Sequence, residues 1–346
     1  MTCSFPTIPS TISARNAAKV LALTSRRKAL LGMAGLAAGA ALPQSAQAQS
    51  DKPIRFILPV ATGSGVDTIT RATSMAITKA LGHPVVIDNQ PGAGGIVGTS
   101  ALVKSAPDGF TLSVVSNNHV IYPSVYKSLP FDPINDITPI TVMGTTPLVL
   151  VVNPVKITAT NSKELVALLK AKPGAYNYAS SGNGTILHLA AEMFMDEAGV
   201  SAKHIPYKGV GPMVTDLIGG QVEIGVLALP SIQAHLKSGA LRAIGTAAPQ
   251  RLAAAPDIPT FVEQGLLNYI MEGWFAVIGP AKLPAADIKR IHAAFATAFS
   301  SQEVKDTMAR QGNTIAMTTP EAAASFFRSE MAKYATLVKK AGVELQ

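Results

Sequence analysis

Apolar runs alternate with helical stripes along the first part of the chain. The run IRFILPV (54–60) is continuous, as expected of a strand that is buried on both faces. Apolar residues at helical spacing follow over 67–81. The strand PVVIDN (84–89), a helix from about Gly95 and the strand FTLSVVS (110–116) complete a β-α-β-α-β order. This order predicts a parallel sheet with helices on its faces.

The same order starts again after the long apolar strand TPLVLVVNP (146–154), which ends in a proline. A second apolar strand, EGWFAVIGPA (272–281), is placed to return the chain to the first part. Between them the pattern predicts helices 161–171, 185–198, 211–219 and 230–238, and the strands YNYAS, AKHIPY, VEIGVLA and LRAIGTA.

Two helices are predicted to close the sequence, each with one apolar stripe. The second begins at a Thr319 cap followed by Pro320, a favoured pair at a helix start. Stripes of this kind face a core. Their members are Ile288, Ile291, Phe295 and Phe299 in the first helix, and Ala323, Phe327, Met331, Tyr334 and Val338 in the second.

The predicted fold is therefore α/β with two lobes joined by two hinge strands, each lobe holding a parallel or mixed sheet flanked by helices. Lobe 1 takes residues 49–150 and 276–346, and lobe 2 takes residues 151–275. Domains of about 100–200 residues are usual, so a chain of 346 residues accommodates two. Ligands of open α/β sheets bind outside the carboxyl ends of the strands, which predicts a site in the cleft between the lobes.

Residues 1–48 have the pattern of a cleaved export signal. A basic stretch at 26–28 precedes a moderately apolar run of Gly and Ala, and Ala46-Gln47-Ala48 forms a cleavage signal. Ser25-Arg26-Arg27 resembles a twin-arginine signal, and the general secretory route is the alternative. We therefore expect a mature protein that begins at Gln49 and resides in the periplasm.

Charge and cysteine content exclude several classes of partner. The first 48 residues hold five of the 29 basic residues and none of the 21 acidic ones, so without them the net charge falls from +8 to +3. No basic cluster remains, and nucleic-acid binding is not expected. The one cysteine, Cys3, lies in the signal, so the mature chain has no disulfide and no thiolate metal site.

Motifs for catalysis and cofactors are incomplete. PGAGGIVG resembles a dinucleotide loop but has Val97 in place of the third glycine. Ser124 and Lys127 match Ser-x-x-Lys of penicillin-recognising enzymes, although the companion motifs are missing or misplaced. His188 and Glu192 share a helix face and could hold a metal, but a polar pair on the helix surface is the favoured interpretation. No cofactor, metal or catalytic residue is predicted.

Two strand-to-helix junctions favour anion binding. The first holds Thr62, Gly63, Ser64 and Gly65 before the helix near Asp67, and the second holds small and hydroxyl residues over 180–185. A helix start leaves backbone N–H groups unpaired and carries a partial positive charge, so it suits a carboxylate. Ordinary tight turns with capped helices are the alternative. Asp67 is predicted to pair with Arg71, to brace the first loop or to hold a bridging water.

Seven motifs in order resemble the Bug (Bordetella uptake gene) receptors, the solute-binding proteins of tripartite tricarboxylate transporters. The similarity covers nearly all of residues 49–346. The motifs are Thr-Gly-Ser-Gly-Val-Asp with Arg71 (62–71), Asn-Gln-Pro-Gly-Ala-Gly-Gly (89–95), Pro-Asp-Gly-Phe-Thr-Leu (107–112), Ser-Gly-Asn-Gly-Thr with His-Leu (181–189), Tyr-Lys-Gly-Val-Gly-Pro (207–212), Asp-Leu-Ile-Gly-Gly-Gln-Val-Glu (216–223) and Ile-Pro-Thr-Phe with Gly265 (258–265).

This resemblance implies a Venus-flytrap fold of the type II kind, no catalysis, and capture of one carboxylate between the lobes. It places Thr62, Gly63, Ser64 and Asp67 at the carboxylate in the first lobe, with Ser181, Gly182, Gly184 and Thr185 in the second. Asn118 and the Ala228-Leu229-Pro230 turn would face the variable end of the ligand. Thr62 and Ser64 depart from the Pro and Gly that are usual in the family.

We therefore expect a monomeric periplasmic receptor that delivers a small organic carboxylate to permease subunits of the transporter. A dicarboxylate or tricarboxylate, an acidic amino acid and an aromatic acid all remain open as ligands. A secreted serine hydrolase using Ser124 and Lys127 is one alternative, and a receptor for a non-anionic solute is another.

Overall fold

A computed structural model describes residues 52–343 and 345, so the predicted export signal over 1–48 lies outside the described residues. The strands are β1 (Ile54–Leu58), β2 (Val85–Asn89), β3 (Thr111–Ser116), β4 (Ile137–Val152), β5 (Asn177–Ser180), β6 (Lys203–Pro206), β7 (Ile224–Ala228), β8 (Arg242–Thr246), β9 (Glu272–Pro280) and β10 (Thr314–Ile315). The helices are α1 (Gly65–Leu81), α2 (Ile96–Val103), α3 (Asn118–Val125), α4 (Ser162–Ala171), α5 (Ile186–Ala198), α6 (Val210–Gly219), α7 (Leu229–Lys237), α8 (Ala285–Ser300), α9 (Gln302–Arg310) and α10 (Pro320–Lys340).

The strands form two mixed sheets that share β4. In the first sheet, β1 lies parallel between β2 and β3, and β9 runs antiparallel between β3 and β4. In the second sheet, β5 lies parallel between β6 and β7, while β7 and β8 both pair antiparallel with β4. The strand order is β2-β1-β3-β9-β4-β7-β5-β6.

The crossing between the sheets lies inside β4. Residues 137–147 pair with β9, and residues 148–152 pair with β7 and β8. The strand begins nine residues before the predicted start at 146, because two register shifts near Pro139 and Gly144 interrupt its apolar pattern. The return strand β9 forms as predicted and, among the described residues, pairs with β3 and with the 137–147 part of β4. The lobe boundaries at 151 and 276 remain predictions.

Two helices were not predicted, and three helices rather than two close the sequence. The helix α3 is short, contains Pro123 and buries residues on all sides, so it shows no apolar stripe. The helix α9 buries only Val304 and Met308, which is too short a stripe to stand out. Both were hidden because helical periodicity identifies only longer amphipathic segments.

The closing helices cover the sheets with the predicted stripes. Ile291, Phe295 and Phe299 of α8 are buried, as are Phe327 and Tyr334 of α10. Within residues 52–343, none of the helices combines the length and the apolar character that a bilayer crossing requires.

Replacement of the α10 cap, Thr319→Ala, is expected to lower the free energy of unfolding by about 1 kcal/mol. The Thr319 side chain accepts a hydrogen bond from the Ala322 N–H, and the variant leaves this group to water. Denaturant unfolding of wild type, Thr319→Ala and Thr319→Ser measures the effect. Serine should restore the stability, and equal midpoints for all three proteins would contradict the assignment of this cap.

Candidate functional site

The first junction, residues 59–67, connects β1 to α1. Ser64 is the N-cap, and its Oγ accepts a hydrogen bond from the Asp67 N–H at 3.2 Å. The backbone N–H groups of Gly65 and Val66 have no acceptor within the described part of the chain. Two unpaired donors therefore remain at the start of α1, as the geometry of a helix N-terminus dictates.

Asp67 braces this junction from behind. Its carboxylate accepts hydrogen bonds from the Gly63 N–H, Arg71 Nε and Asn89 Nδ2, each at 2.9 Å. Its side chain is almost completely buried. Of the roles considered for this residue, the structure shows the ion pair with Arg71 and the bracing of the loop.

The second junction, residues 181–185, connects β5 to α5. Thr185 is the N-cap, and its Oγ1 accepts hydrogen bonds from the His188 N–H and from the Ser181 hydroxyl. Gly182 and Gly184 have φ values of 133° and 66°, which favour glycine. The first turn of α5 leaves the Leu187 N–H without an acceptor among the described residues.

Asn118, at the start of α3, connects the two sides of the site. Its Oδ1 accepts a hydrogen bond from the Ile186 N–H at 2.8 Å, and its Nδ2 donates to the Gly94 carbonyl at 3.3 Å. Gly94 follows β2 of the first sheet, whereas Ile186 begins a helix that follows β5 of the second. This side chain therefore holds the second junction against a loop of the first sheet.

Both junctions line one cavity of about 580 Å³. The apolar part of its wall includes Val60, Tyr126, Leu148, Trp274 and Phe275. Among the described residues that line it, Lys208 is the one with a charged side chain, and it is exposed. Negative charge in this cavity would therefore be met chiefly by backbone N–H groups and hydroxyls.

Six of the twelve predicted site residues line the cavity and six do not. Those that line it are Ser64, Asn118, Ser181, Gly182, Thr185 and Ala228. Outside its wall lie Thr62, Gly63, Asp67, Gly184, Leu229 and Pro230. Thr62 and Gly63 are exposed to solvent, and Leu229 points into the core.

Local hydrogen bonds occupy the backbone N–H groups of two of the residues outside the cavity wall. Asp67 binds the Gly63 N–H, and His188 Nδ1 accepts the Gly184 N–H, so neither amide is available to a ligand. The donors without an acceptor among residues 52–343 lie a few positions further on, at Gly65, Val66 and Leu187. The part that any of these residues plays in ligand binding remains a prediction.

Several lining residues were missed by reasoning from the sequence. Thr146 and Ser231 both place a buried hydroxyl without a hydrogen-bond partner in the described residues, and both line the cavity. Thr146 lies within β4 and Trp274 within β9, where the apolar pattern predicts only buried strand. The 91–95 loop could have been found, because it follows β2 at the same sheet edge as the first junction.

The structure also locates the two residue pairs that were considered for a metal and for a hydrolase. His188 is buried rather than on the helix surface, and its Nε2 lies 3.6 Å from Glu192 Oε1. The described residues contain no group of three or more His, Cys, Asp or Glu side chains placed to hold a metal. Within the same part of the chain no hydrogen bond joins Ser124 to Lys127, and neither residue lines the cavity.

Helix-start donors that follow strands of two sheets line one cavity, as is expected of a solute-binding receptor. The sequence matches the tripartite tricarboxylate transporter family receptor over residues 69–343, and the chain belongs to that family. Both the family and the α/β Venus-flytrap class predicted from the sequence are thereby confirmed.

Relatives match over nearly the whole chain. BugT of Bordetella pertussis is 34% identical over 324 residues, which cover 93% of this chain and 99% of BugT. The structure of the periplasmic binding protein BugD is similar with a TM-score of 0.81 and 27% identity, covering 85% of this chain and 99% of BugD. Rpa4515 of R. palustris, solved with adipate, has a TM-score of 0.82 and 25% identity, with coverage of 85% and 98%.

Proposed function

We propose that this protein is a periplasmic receptor that captures a small organic carboxylate in the cavity and delivers it to the permease subunits of a tripartite tricarboxylate transporter. One observation carries the proposal: the unpaired N–H groups of Gly65, Val66 and Leu187 all belong to residues that line one cavity. The receptor family, whose relatives include a periplasmic binding protein, supports the location and the permease as partner.

The strength of such binding is sufficient without a charged side chain. A hydrogen bond to a charged group contributes about 1.5–3 kcal/mol, and micromolar affinity requires about 8 kcal/mol. Three backbone donors contribute about 4.5–9 kcal/mol. The hydroxyls of Thr146 and Ser231, which have no partner among the described residues, and burial of the apolar body of the acid add the free energy that offsets the cost of association. Each helix start adds about half a positive charge next to the carboxylate.

The cavity wall favours an acid with an apolar or aromatic body. Tyr126, Leu148, Trp274 and Phe275 supply apolar surface, and the volume of about 580 Å³ is in the usual range for small-molecule sites. The adipate found with the R. palustris relative supports aliphatic dicarboxylates as candidates. Aromatic acids and acidic amino acids belong in the same screen.

A thermal-shift screen of organic acids tests this function. An acid present at 100 times its Kd should stabilise the protein by about 2.7 kcal/mol, which raises the Tm by about 5 °C. Uncharged amides of the same acids and neutral sugars should give no shift, because the site has donors aimed at an anion. A sugar that binds while every acid fails would favour the receptor for a non-anionic solute.

The Ser124→Ala variant serves in the same screen to examine the hydrolase alternative. Ser124 lies outside the cavity, so the variant should show the wild-type shift with each acid. Neither protein should hydrolyse a chromogenic β-lactam or ester. Turnover that disappears in Ser124→Ala would contradict the proposed function and favour the serine hydrolase.

A further inference from the structure

Behind the second junction lies a stack of three rings. The imidazoles of His188 (α5) and His204 (β6) are nearly parallel, with centroids 3.9 Å apart. The ring of Tyr178 (β5) is nearly parallel to both imidazoles, with centroids 4.9 Å from His204 and 6.3 Å from His188, and its hydroxyl donates to the Glu192 carboxylate. Since none of these four residues lines the cavity, the proposed capture of a carboxylate does not explain the stack.

Each imidazole is connected by hydrogen bonds to a glycine of the junction, His188 directly and His204 through Ser180. His188 Nδ1 accepts the Gly184 N–H at 3.1 Å in a buried contact. His204 Nε2 lies 2.7 Å from Ser180 Oγ, and that oxygen accepts the Gly182 N–H at 3.2 Å. The two rings thus fix both glycines of the segment that leads to the Thr185 cap.

The hydrogen bond from Gly184 determines where His188 carries its proton. Only an unprotonated Nδ1 can accept an N–H, so the proton of the neutral ring lies on Nε2, which faces Glu192. A second proton must go to Nδ1, where it would oppose the Gly184 N–H. Charging this ring therefore removes the acceptor that holds Gly184 in place.

We infer that His188 and His204 are positioning residues for the 181–185 junction, and that the junction keeps its binding geometry only while His188 is neutral. Affinity for the carboxylate should therefore fall as His188 takes up a proton. The affinity part of this inference rests on the proposed function, whereas the effect on the junction does not.

The charged and titratable groups that face His188 all belong to the same cluster. Glu192 on the same helix is the anion that faces it, and hydrogen bonds from His188 and Tyr178 outweigh burial to lower the pKa of the Glu192 carboxyl. Burial first, and then the neighbouring His188, lower the pKa of His204 to about 4, with Glu192 opposing. Tyr178 is the remaining titratable group of the stack, and burial raises its pKa far above the ordinary value.

Two opposing effects decide whether protonation of His188 strengthens or weakens binding of the carboxylate. A bound carboxylate beside the junction would attract an imidazolium, and this attraction alone would strengthen binding in acid. Loss of the Gly184 hydrogen bond acts in the other direction, because the misplaced junction no longer presents its donors. We expect the second effect to dominate, since the His188 ring lies outside the cavity whereas Gly182 and Thr185 line it.

The experiment compares wild type with His188→Asn, which keeps a side-chain acceptor near the position of Nδ1 but cannot be charged. The first measurement is the hydrogen-exchange protection of the Gly182 and Gly184 amides, by NMR, in the protein without added acid from pH 8 to 5.5. A protonated Nδ1 no longer accepts the Gly184 N–H, and the loss of one hydrogen bond corresponds to about a tenfold fall in wild-type protection towards pH 5.5. Protection in His188→Asn should stay constant.

The second measurement is the Kd of adipate over the same pH range, read from the fluorescence of Trp274, the one tryptophan of the chain. Wild-type affinity should weaken by about tenfold more than that of His188→Asn, and ionisation of adipate cancels in this comparison. His83→Asn removes a histidine that contacts Phe110 and should keep the wild-type profile. His188→Leu, with no acceptor, should show low protection at every pH.

The outcomes separate the two proposals. Equal pH profiles for wild type and His188→Asn in protection would overturn the positioning role, even if adipate binds well. Stronger adipate binding by wild type in acid would overturn the expected sign. If wild-type protection falls in acid as expected but neither wild type nor any variant binds an acid, the proposed function is contradicted. The role of the two histidines would then remain intact.

Discussion

Gly65→Val is expected to abolish the stabilisation of the protein by a bound acid. A Cβ atom at this position would lie 2.9 Å from the Cβ of Ala228, which belongs to the second sheet and also lines the cavity. Overlap of this kind costs about 1–3 kcal/mol, and the upper end corresponds to about 100-fold weaker binding. A shift of about 2.7 kcal/mol in wild type would then fall to about 0.4 kcal/mol at the same acid concentration.

In Gly65→Val, the Tm without ligand shows whether the substitution disturbs the fold. The ligand-induced shift in Tm shows whether it disturbs closure of the site on the acid. Gly65 has no left-handed backbone conformation, so valine meets no backbone strain there. Gly65→Ala adds only the Cβ and should give an intermediate loss. Gly219→Val places the same side chain in open space at the end of α6 and should bind as wild type does. A full ligand-induced shift in Gly65→Val would mean that the two junctions do not close on a common ligand.

The positions of both junctions could be predicted from the sequence, but the atoms that they offer could not. Glycine and hydroxyl residues at the carboxyl ends of β1 and β5 indicate two tight strand-to-helix turns. In the folded chain, however, Asp67 reaches back to the Gly63 N–H and His188 to the Gly184 N–H. These contacts use the amides that the sequence makes most conspicuous, and the unpaired donors move to Gly65, Val66 and Leu187.

The contribution of β4 and β9 to the cavity wall could not be predicted, for a different reason. Thr146 and Trp274 lie inside continuous apolar runs, and strand periodicity describes them as core. They line the cavity because β4 passes from one sheet to the other next to them, at residues 147 and 148. That crossing depends on pairing with β7, β8 and β9, which lie about 75 to 135 residues away in the chain. Local patterns contain no signal for such distant pairing.

The stack behind the second junction shows the same limit. The helical spacing of His188 and Glu192 is visible in the sequence and is typical of a pair on a helix surface. His204 comes from a neighbouring parallel strand, and its position over His188 depends on the register of β5 with β6. His188 is therefore buried between helix and sheet, where its Nδ1 accepts the Gly184 N–H of the loop.

Asp67→Ala is expected to lower the free energy of unfolding by about 3 kcal/mol and to weaken acid binding as well. The change leaves the Gly63 N–H and Asn89 Nδ2 without their buried acceptor, and each such loss costs about 1–3 kcal/mol. Arg71 is half exposed and can return to water, so the cost stays below that of a fully buried ion pair. Denaturant unfolding measures the stability, and the thermal shift with adipate measures the binding.

A matched control comes from the exposed ion pair of Lys52 and Asp108, whose side chains are 53% and 43% exposed. Asp108→Ala removes an aspartate in contact with a cation and should cost less than about 1 kcal/mol. Asp67→Asn retains one acceptor oxygen, so its loss of unfolding free energy should lie between those of Asp67→Ala and Asp108→Ala. If Asp67→Ala were as stable as Asp108→Ala, the carboxylate would not be what holds the first junction. The Gly63 amide would then be free to compete for the ligand, and the donors would have to be reassigned from Gly65 and Val66 towards Gly63.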